Sequence, residues 1–286
     1  MPPTLEQLRQ QAEKAVRDVG IPPRPAILTR LVRDLRADEP DLVEIGRLIS
    51  SDAGLAAAMV KTVNSAAFGL AVRATSVKHA LQLMGLATAG NLVTGLLLKQ
   101  AFPLSRHPMM ERFWEASARV AEVSAQLARA LKCADTDAAH TLGLFRDCGM
   151  AALLGKHADY ADLVKSCAQP DGLRLADAEN MRYGLNHAVI GDVLGRDWLL
   201  PAAITDAILH HHSLDAHRGR RSDLRPETMR LIAVTTLADY ACACVAGDPV
   251  TRELELASDF AASQLGIGAA GKKQIVDFAA PEAIAA

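Results

Sequence analysis

The strongest constraint on the fold is that no stretch of the sequence sustains the alternation of apolar and polar residues that a half-buried β-strand requires. Alanine and leucine are abundant instead, and only 4% of the residues are aromatic. Both residues are strong helix formers, whereas the aromatic residues that enrich strands are scarce. The sequence therefore predicts an all-α protein.

Breaks in the helical pattern suggest how the chain is organised. Thr4 caps a predicted first helix that ends at Gly20, and later breaks fall near residues 38–40, 68–69, 103–108, 169–172 and 218–226. The break at 103–108 is short, and the helices on both sides are apolar enough to pack against each other, so it is not predicted to be a flexible linker. The predicted units are an N-terminal helix (1–19), a helical lobe (20–105), a second helical lobe (106–262) and a C-terminal tail (263–286).

Charge and hydropathy argue against two classes of partner. The formal net charge of -2 gives no overall attraction to nucleic acid or anionic lipid. No signal-peptide pattern is present, and no apolar run reaches the ~20 residues of a bilayer span. The five cysteines are scattered and lack the paired spacing of a zinc site. We therefore expect a cytoplasmic protein with reduced thiols, no nucleic-acid partner and no membrane partner.

Four short motifs follow one another in the first half of the chain. They are Ile21-Pro22-Pro23-Arg24-Pro25, the segment Ile45 to Leu55 with Asp52-Ala53-Gly54-Leu55 at its end, Val63-Asn64-Ser65-Ala66-Ala67-Phe68-Gly69, and the segment Ser76 to Gly85. Together they resemble the motifs of the HD-related output domain (HDOD) family, except that Ala53 stands where that family usually has proline. The resemblance covers about residues 20 to 250. It implies a multi-helix bundle of two packed lobes, the second of them HD-domain-like.

A further motif carries the chemistry of the wider HD superfamily. Leu144-Phe145-Arg146-Asp147-Cys148-Gly149 resembles the superfamily signature, in which adjacent His and Asp side chains hold a divalent metal that activates water. Arg146 stands in the place of the His. A guanidinium has only hydrogen-bond donors and stays charged, so this position cannot ligate a metal.

The same resemblance assigns the remaining positions of a degenerate HD site. Ala116 takes the place of an early His, His187 matches a His at a helix start, His211 and His212 match a His-His pair, and Asp239 matches a terminal Asp. The resemblance implies no cofactor and no bound metal. If a metal were held, its ligands would be Asp147, His187, His211 and Asp239.

Ordinary structural roles are open for several of these residues. Asp147 could accept an ion pair from Arg146 or cap a helix, and His187 could be a histidine near a helix start. Adjacent helical residues point about 100° apart, so His210, His211 and His212 cannot all face one ion. Asn64 and Ser65 compete well for backbone groups at a turn or helix end.

A sharper hypothesis concerns Arg146 itself. If Arg146 fills the space of a metal, Asp147 and Asp239 could neutralise its charge. The former active site would then be a closed electrostatic cluster or a small anion pocket.

The resemblance implies a stand-alone, non-catalytic bacterial signal-transduction module. It would act as an output or scaffold domain through contacts with signalling proteins or through ligand sensing, with a small anionic ligand as a candidate. The alternative is a metal-dependent HD-type phosphohydrolase or cyclic-dinucleotide phosphodiesterase, which needs a bound metal and a water nucleophile. Ala116 and Arg146 disfavour it, as does Met150-Ala151-Ala152, where the cyclic-di-GMP hydrolases of the superfamily have Gly-Tyr-Pro.

Overall fold

The computed structural model describes residues 25–64, 72–101, 108–169, 172–213 and 224–280. Within these ranges the regular elements are helices and no strand occurs, so the all-α prediction is confirmed. The α-helices are α1 (Ala26–Leu35), α2 (Leu42–Ser50), α3 (Ala53–Val63), α4 (Val77–Met84), α5 (Leu86–Ala101), α6 (Pro108–Leu131), α7 (Thr136–Phe145), α8 (Cys148–Lys156), α9 (Tyr160–Cys167), α10 (Leu175–Tyr183), α11 (His187–Asp197), α12 (Ala202–His210), α13 (Pro226–Ala246), α14 (Arg252–Gln264) and α15 (Ala269–Phe278). A 3-10 turn, His211–Ser213, follows α12 directly.

Local sequence explains many of the helix boundaries. Side-chain oxygens of Asp41, Asp52, Ser76, Asp135 and Thr251 each accept a backbone N–H in the first turn of the helix that follows. The predicted breaks near 38–40 and 169–172 separate α1 from α2 and α9 from α10. The predicted helix over 1–19 and the break at 68–69 lie outside the described residues.

Helices α1 to α5 form the first lobe around a core that includes Leu28, Ile45, Leu55, Met59 and Leu81, all fully buried. Burial of each such side chain stabilises the folded state by about 1.5–3 kcal/mol.

Asn64 has a structural role in this lobe. It is the C-cap residue of α3, and its side-chain amide pairs with both backbone groups of Ala74. Nδ2 donates to the Ala74 carbonyl at 2.8 Å, and Oδ1 accepts from the Ala74 N–H at 2.8 Å. The expectation that Asn64 serves a helix end is therefore confirmed, while its neighbour Ser65 lies outside the described residues.

Helices α6 to α15 form the second lobe, in which α13 packs against α6, α7, α12, α14 and α15. By length and composition α13 could cross a membrane, which corrects the expectation that no apolar run is long enough. More than half of its most apolar window is buried inside the protein, however. The core helix of a soluble protein passes the same test, so this feature is weak evidence for a membrane span.

The segment expected to be a C-terminal tail contains helix α15, which packs on α13 and α14. Its Lys272 Nζ lies 2.8 Å from Glu255 Oε1 and 2.8 Å from Asp259 Oδ1 on α14, and also above the Tyr240 ring of α13. Residues 269–278 therefore belong to the folded second lobe.

The two lobes meet where α5 packs on α7, and the two helices approach closely at Gly95. A Cβ atom at Gly95 would lie 2.8 Å from Leu144 Cδ2 and 3.2 Å from Phe145 Cε2. Gly95→Ala should therefore lower the free energy of unfolding by about 1–2 kcal/mol, because overpacking outweighs the gain in helix propensity. Urea denaturation followed by circular dichroism measures this change.

Gly155 in α8 is the matched control, since a Cβ atom there meets nothing within 4 Å. Gly155→Ala should stabilise the protein by about 0.5 kcal/mol through helix propensity alone. Equal effects of the two substitutions would contradict a tight contact between the lobes at Gly95.

Candidate functional site

Three segments of the second lobe converge on one partly buried cluster. Arg146 and Asp147 lie at the junction of α7 and α8, His187 is the first residue of α11, and His211 and His212 form the 3-10 turn after α12. Gly149 permits the approach of α8 to α11, because a Cβ atom there would lie 2.1 Å from the His187 carbonyl oxygen.

Arg146 bridges two carboxylates. Its Nε donates to Asp147 Oδ2 at 2.9 Å, and its Nη2 lies 2.8 Å from Asp239 Oδ1. Burial alone would lower the pKa of Arg146, but the two carboxylates raise it above its ordinary value. The structure thus contains the Arg146 bridge that the sequence hypothesis describes.

The second carboxylate oxygen of Asp147 faces the histidines. Oδ1 lies 3.2 Å from His211 Nε2 and 3.6 Å from His187 Nε2. Burial alone would raise the pKa of Asp147, but Arg146 and then His211 hold it well below its usual range. Asp147 occupies the N-cap position of α8, but its side chain makes no capping hydrogen bond. Of the two structural roles considered from the sequence, Asp147 therefore forms the ion pair with Arg146 and does not cap the helix.

The three imidazoles face one another. His187 Nε2 and His212 Nε2 are 2.8 Å apart, and the ring centroids of His211 and His212 are 4.1 Å apart. Of His210, His211 and His212, the last two provide donor atoms to the cluster and His210 does not, in agreement with the expectation that the three cannot all face one ion. The α-helix ends at His210, and in the turn that follows both rings reach the cluster.

The set of possible metal ligands differs from the one inferred from the sequence. One donor atom from each of Asp147, His187, His211 and His212 lies within 4.8 Å of the others. Asp239 forms an ion pair with Arg146 instead, so His212 takes the place of Asp239 among the possible ligands. Imidazole nitrogens and a carboxylate oxygen are donor atoms that ions of the zinc class accept.

Glu179 of α10 supports His187, and sequence reasoning missed it. Its Oε2 accepts from the backbone N–H of His187 at 2.9 Å and lies 2.6 Å from His187 Nδ1, while its Oε1 accepts from the Tyr160 hydroxyl at 2.5 Å. Burial alone would raise the pKa of Glu179, but His187 and Tyr160 hold it below its usual value. No motif in Leu175–Tyr183 marks this carboxylate as buried.

Glu253 of α14 supports His212 in the same way. Its Oε1 lies 2.8 Å from His212 Nδ1 and 3.1 Å from Arg174 Nη2, and Arg174 also donates to the His212 carbonyl oxygen. Burial alone would raise the pKa of Glu253, but His212 and Arg174 lower it to about 2. The cluster is thereby tied to both α10 and α14.

A comparison with known protein families assigns the chain to one of them. The family model described as the HDOD domain matches residues 21–214, about two thirds of the chain. The chain belongs to the HDOD family. The match includes Asn64, Arg146, Asp147 and the three histidines of the cluster, and it ends before Asp239.

One curated relative of this HDOD protein is distant in sequence. An uncharacterized protein of Treponema pallidum is 24% identical over 198 residues, which are 68% of this chain and 38% of that protein. This HDOD chain therefore spans about two fifths of the length of that curated relative.

Solved structures share the fold. An HDOD domain protein of unknown function from Geobacter sulfurreducens has a TM-score of 0.68 and 20% identity, over 96% of this chain and 94% of that one. A protein from Shewanella amazonensis, named as a proposed phosphohydrolase, has a TM-score of 0.70 and 19% identity, over 93% of each chain. At this level of identity the likenesses show a shared fold and say nothing of the chemistry of this chain.

Ala116, the remaining degenerate HD position, lies on an exposed side of α6, whereas Trp114 and Ser117 of the same helix are buried. Its methyl group offers no donor atom to an ion. In this HDOD protein the early His of the superfamily therefore has no functional counterpart at Ala116.

Proposed function

We propose that this HDOD protein is a non-catalytic bacterial signalling module, an output or scaffold domain that acts through contacts with a signalling protein. Membership of the HDOD family supports the signalling role. The absence of catalysis rests on one observation, the Arg146 guanidinium between Asp147 and Asp239.

The bridge matters because of what HD chemistry requires. A hydrolytic centre needs an ion with an open coordination position, at which water loses a proton and attacks phosphorus. The two aspartates that resemble the superfamily's ligands here each give an oxygen to a fixed positive charge. Arg146 can neither bind the ion nor accept a proton from water.

A hydrolysis assay tests this proposal. The purified chain, incubated separately with Mn²⁺, Fe²⁺ and Zn²⁺, should cleave bis(p-nitrophenyl) phosphate and cyclic di-GMP no faster than its Asp147→Asn variant. An active HD phosphodiesterase in the same buffers shows that the assay works. Metal-dependent turnover that is lost in Asp147→Asn would overturn the proposal and favour the phosphohydrolase alternative.

The contact part of the proposal needs a second measurement. Crosslinking in the source cell supplies candidate partners, and each candidate is then purified and titrated against the purified chain. Direct saturable binding of a signalling protein is expected. If no purified candidate binds, the proposed mode of action is wrong.

A further inference from the structure

The hydrogen bonds at the Nδ1 atoms of the three clustered histidines fix their tautomers. His187 Nδ1 faces Glu179 Oε2 at 2.6 Å, His211 Nδ1 faces the Ile208 carbonyl oxygen at 2.7 Å, and His212 Nδ1 faces Glu253 Oε1 at 2.8 Å. Carbonyl and ionised carboxylate oxygens only accept, so each Nδ1 is the donor. In a neutral ring, each Nε2 is then left with a lone pair.

Those three lone pairs point toward one another and toward Asp147. His187 Nε2 is 2.8 Å from His212 Nε2, and Asp147 Oδ1 is 3.2 Å from His211 Nε2 and 3.6 Å from His187 Nε2. Four electron-pair donors at such separations repel unless an acceptor lies among them. A tetrahedral ion with ligands at ~2.0–2.1 Å separates its donor atoms by about 3.4 Å, which lies within the observed range.

The surrounding contacts are those that metal-ligating histidines normally make. A ligating imidazole usually donates its second N–H to a carboxylate or a backbone carbonyl, which fixes the ring and raises the basicity of the other nitrogen. Here Glu179, Ile208 and Glu253 provide one such acceptor for each ring.

The charge balance also favours a dication. Among the described residues, the buried or half-buried charged side chains in contact within the cluster are four carboxylates and two guanidiniums, which leaves two negative charges. They are Asp147, Asp239, Glu179 and Glu253 on one side and Arg146 and Arg174 on the other. Arg146 therefore neutralises one of the two aspartates and leaves room for a cation. The remaining excess of negative charge disfavours the small anionic ligand that the sequence suggested.

We propose that Asp147 Oδ1 and the Nε2 atoms of His187, His211 and His212 bind one divalent transition ion of the zinc class. Three imidazoles and one carboxylate suit Zn²⁺ and disfavour Mg²⁺ and Ca²⁺, which prefer oxygen donors. Four protein ligands close the coordination shell, as in structural rather than hydrolytic sites. The ion cross-links α8, α11 and the turn after α12, and it goes beyond the proposed function by giving the module an input, metal availability.

Metal analysis of the full untagged chain tests the site. After chelator treatment, incubation with excess Zn²⁺ and gel filtration, we expect one zinc per chain and a rise of several degrees in the thermal midpoint. Co²⁺ in place of Zn²⁺ should give the intense visible absorption of a tetrahedral nitrogen and oxygen site. Mg²⁺ should produce neither effect.

Variants locate the ion. His212→Ala and His187→Ala should each retain at least tenfold less zinc, whereas His79→Ala, in the first lobe, should retain as much as the wild type. Circular dichroism identifies a variant that fails to fold, and the Co²⁺ spectrum of the wild type tests the site without any substitution. Zinc below about a tenth per chain in the wild type, or zinc that both cluster variants keep, would overturn the proposal.

The same samples separate this inference from the proposed function. Bound zinc without phosphodiesterase activity supports both. Bound zinc with activity supports the site and overturns the non-catalytic function. The absence of both zinc and activity overturns the site and supports the non-catalytic function.

Discussion

Arg146→Ala is expected to lower the free energy of unfolding by about 3–5 kcal/mol, the cost of removing one partner from a buried ion pair. The Arg146 side chain is only 12% exposed, and it provides the contacts at 2.9 Å and 2.8 Å to Asp147 and Asp239. Without it, two carboxylates would share a poorly solvated space with no cation between them. Urea denaturation in the presence of a chelator measures the loss, because a bound cation could replace part of the missing charge.

Two variants serve as controls for this prediction. Arg146→Lys keeps the charge but cannot present two N–H donors in the planar geometry of a guanidinium, so it should lose less stability than the alanine variant. Arg112→Ala removes an exposed arginine from α6 and should change stability by about 0.5 kcal/mol or less. If Arg146→Ala is as stable as Arg112→Ala, the guanidinium is not what holds the two aspartates.

The parts of the structure that local sequence determines were predictable. The sequence predicts that Asn64 bonds backbone groups near a helix end, and in the structure its side chain forms hydrogen bonds with the backbone of Ala74. Arg146 and Asp147 are adjacent, so their ion pair needs little tertiary information. The absence of strand patterning similarly predicted helices, because helix formation depends on residue type and short-range periodicity.

The support of the histidine cluster could not be predicted, because it depends on tertiary packing. Glu253 lies 41 residues after His212, and nothing in helix α14 distinguishes it from Glu255 nearby, whose side chain is 48% exposed. A carboxylate on a helix is usually solvated, so its burial has to be seen rather than inferred. The same limit applies to His212, whose ring turns toward the cluster only because the α-helix ends just before it.

Replacement of the buried Glu179 should produce the second large effect. Glu179→Ala is expected to lower the free energy of unfolding by about 3 kcal/mol or more, because each buried donor left without an acceptor costs about 1–3 kcal/mol. Three donors lose their acceptor, namely the Tyr160 hydroxyl and the backbone N–H and Nδ1–H of His187. Urea denaturation measures the change, with Glu115→Ala on the exposed face of α6 as the surface control.

A double-mutant cycle with Tyr160→Phe isolates the network from the volume change. Tyr160→Phe removes only the hydroxyl that donates to Glu179 Oε1, and Glu179→Gln keeps the size of the side chain while removing its charge. Residues that share one hydrogen-bond network couple by about 0.5–3 kcal/mol, whereas independent sites add within about 0.5 kcal/mol. Additive losses would mean that Tyr160 and Glu179 act separately, and that the position of His187 does not depend on the hydroxyl behind its carboxylate partner.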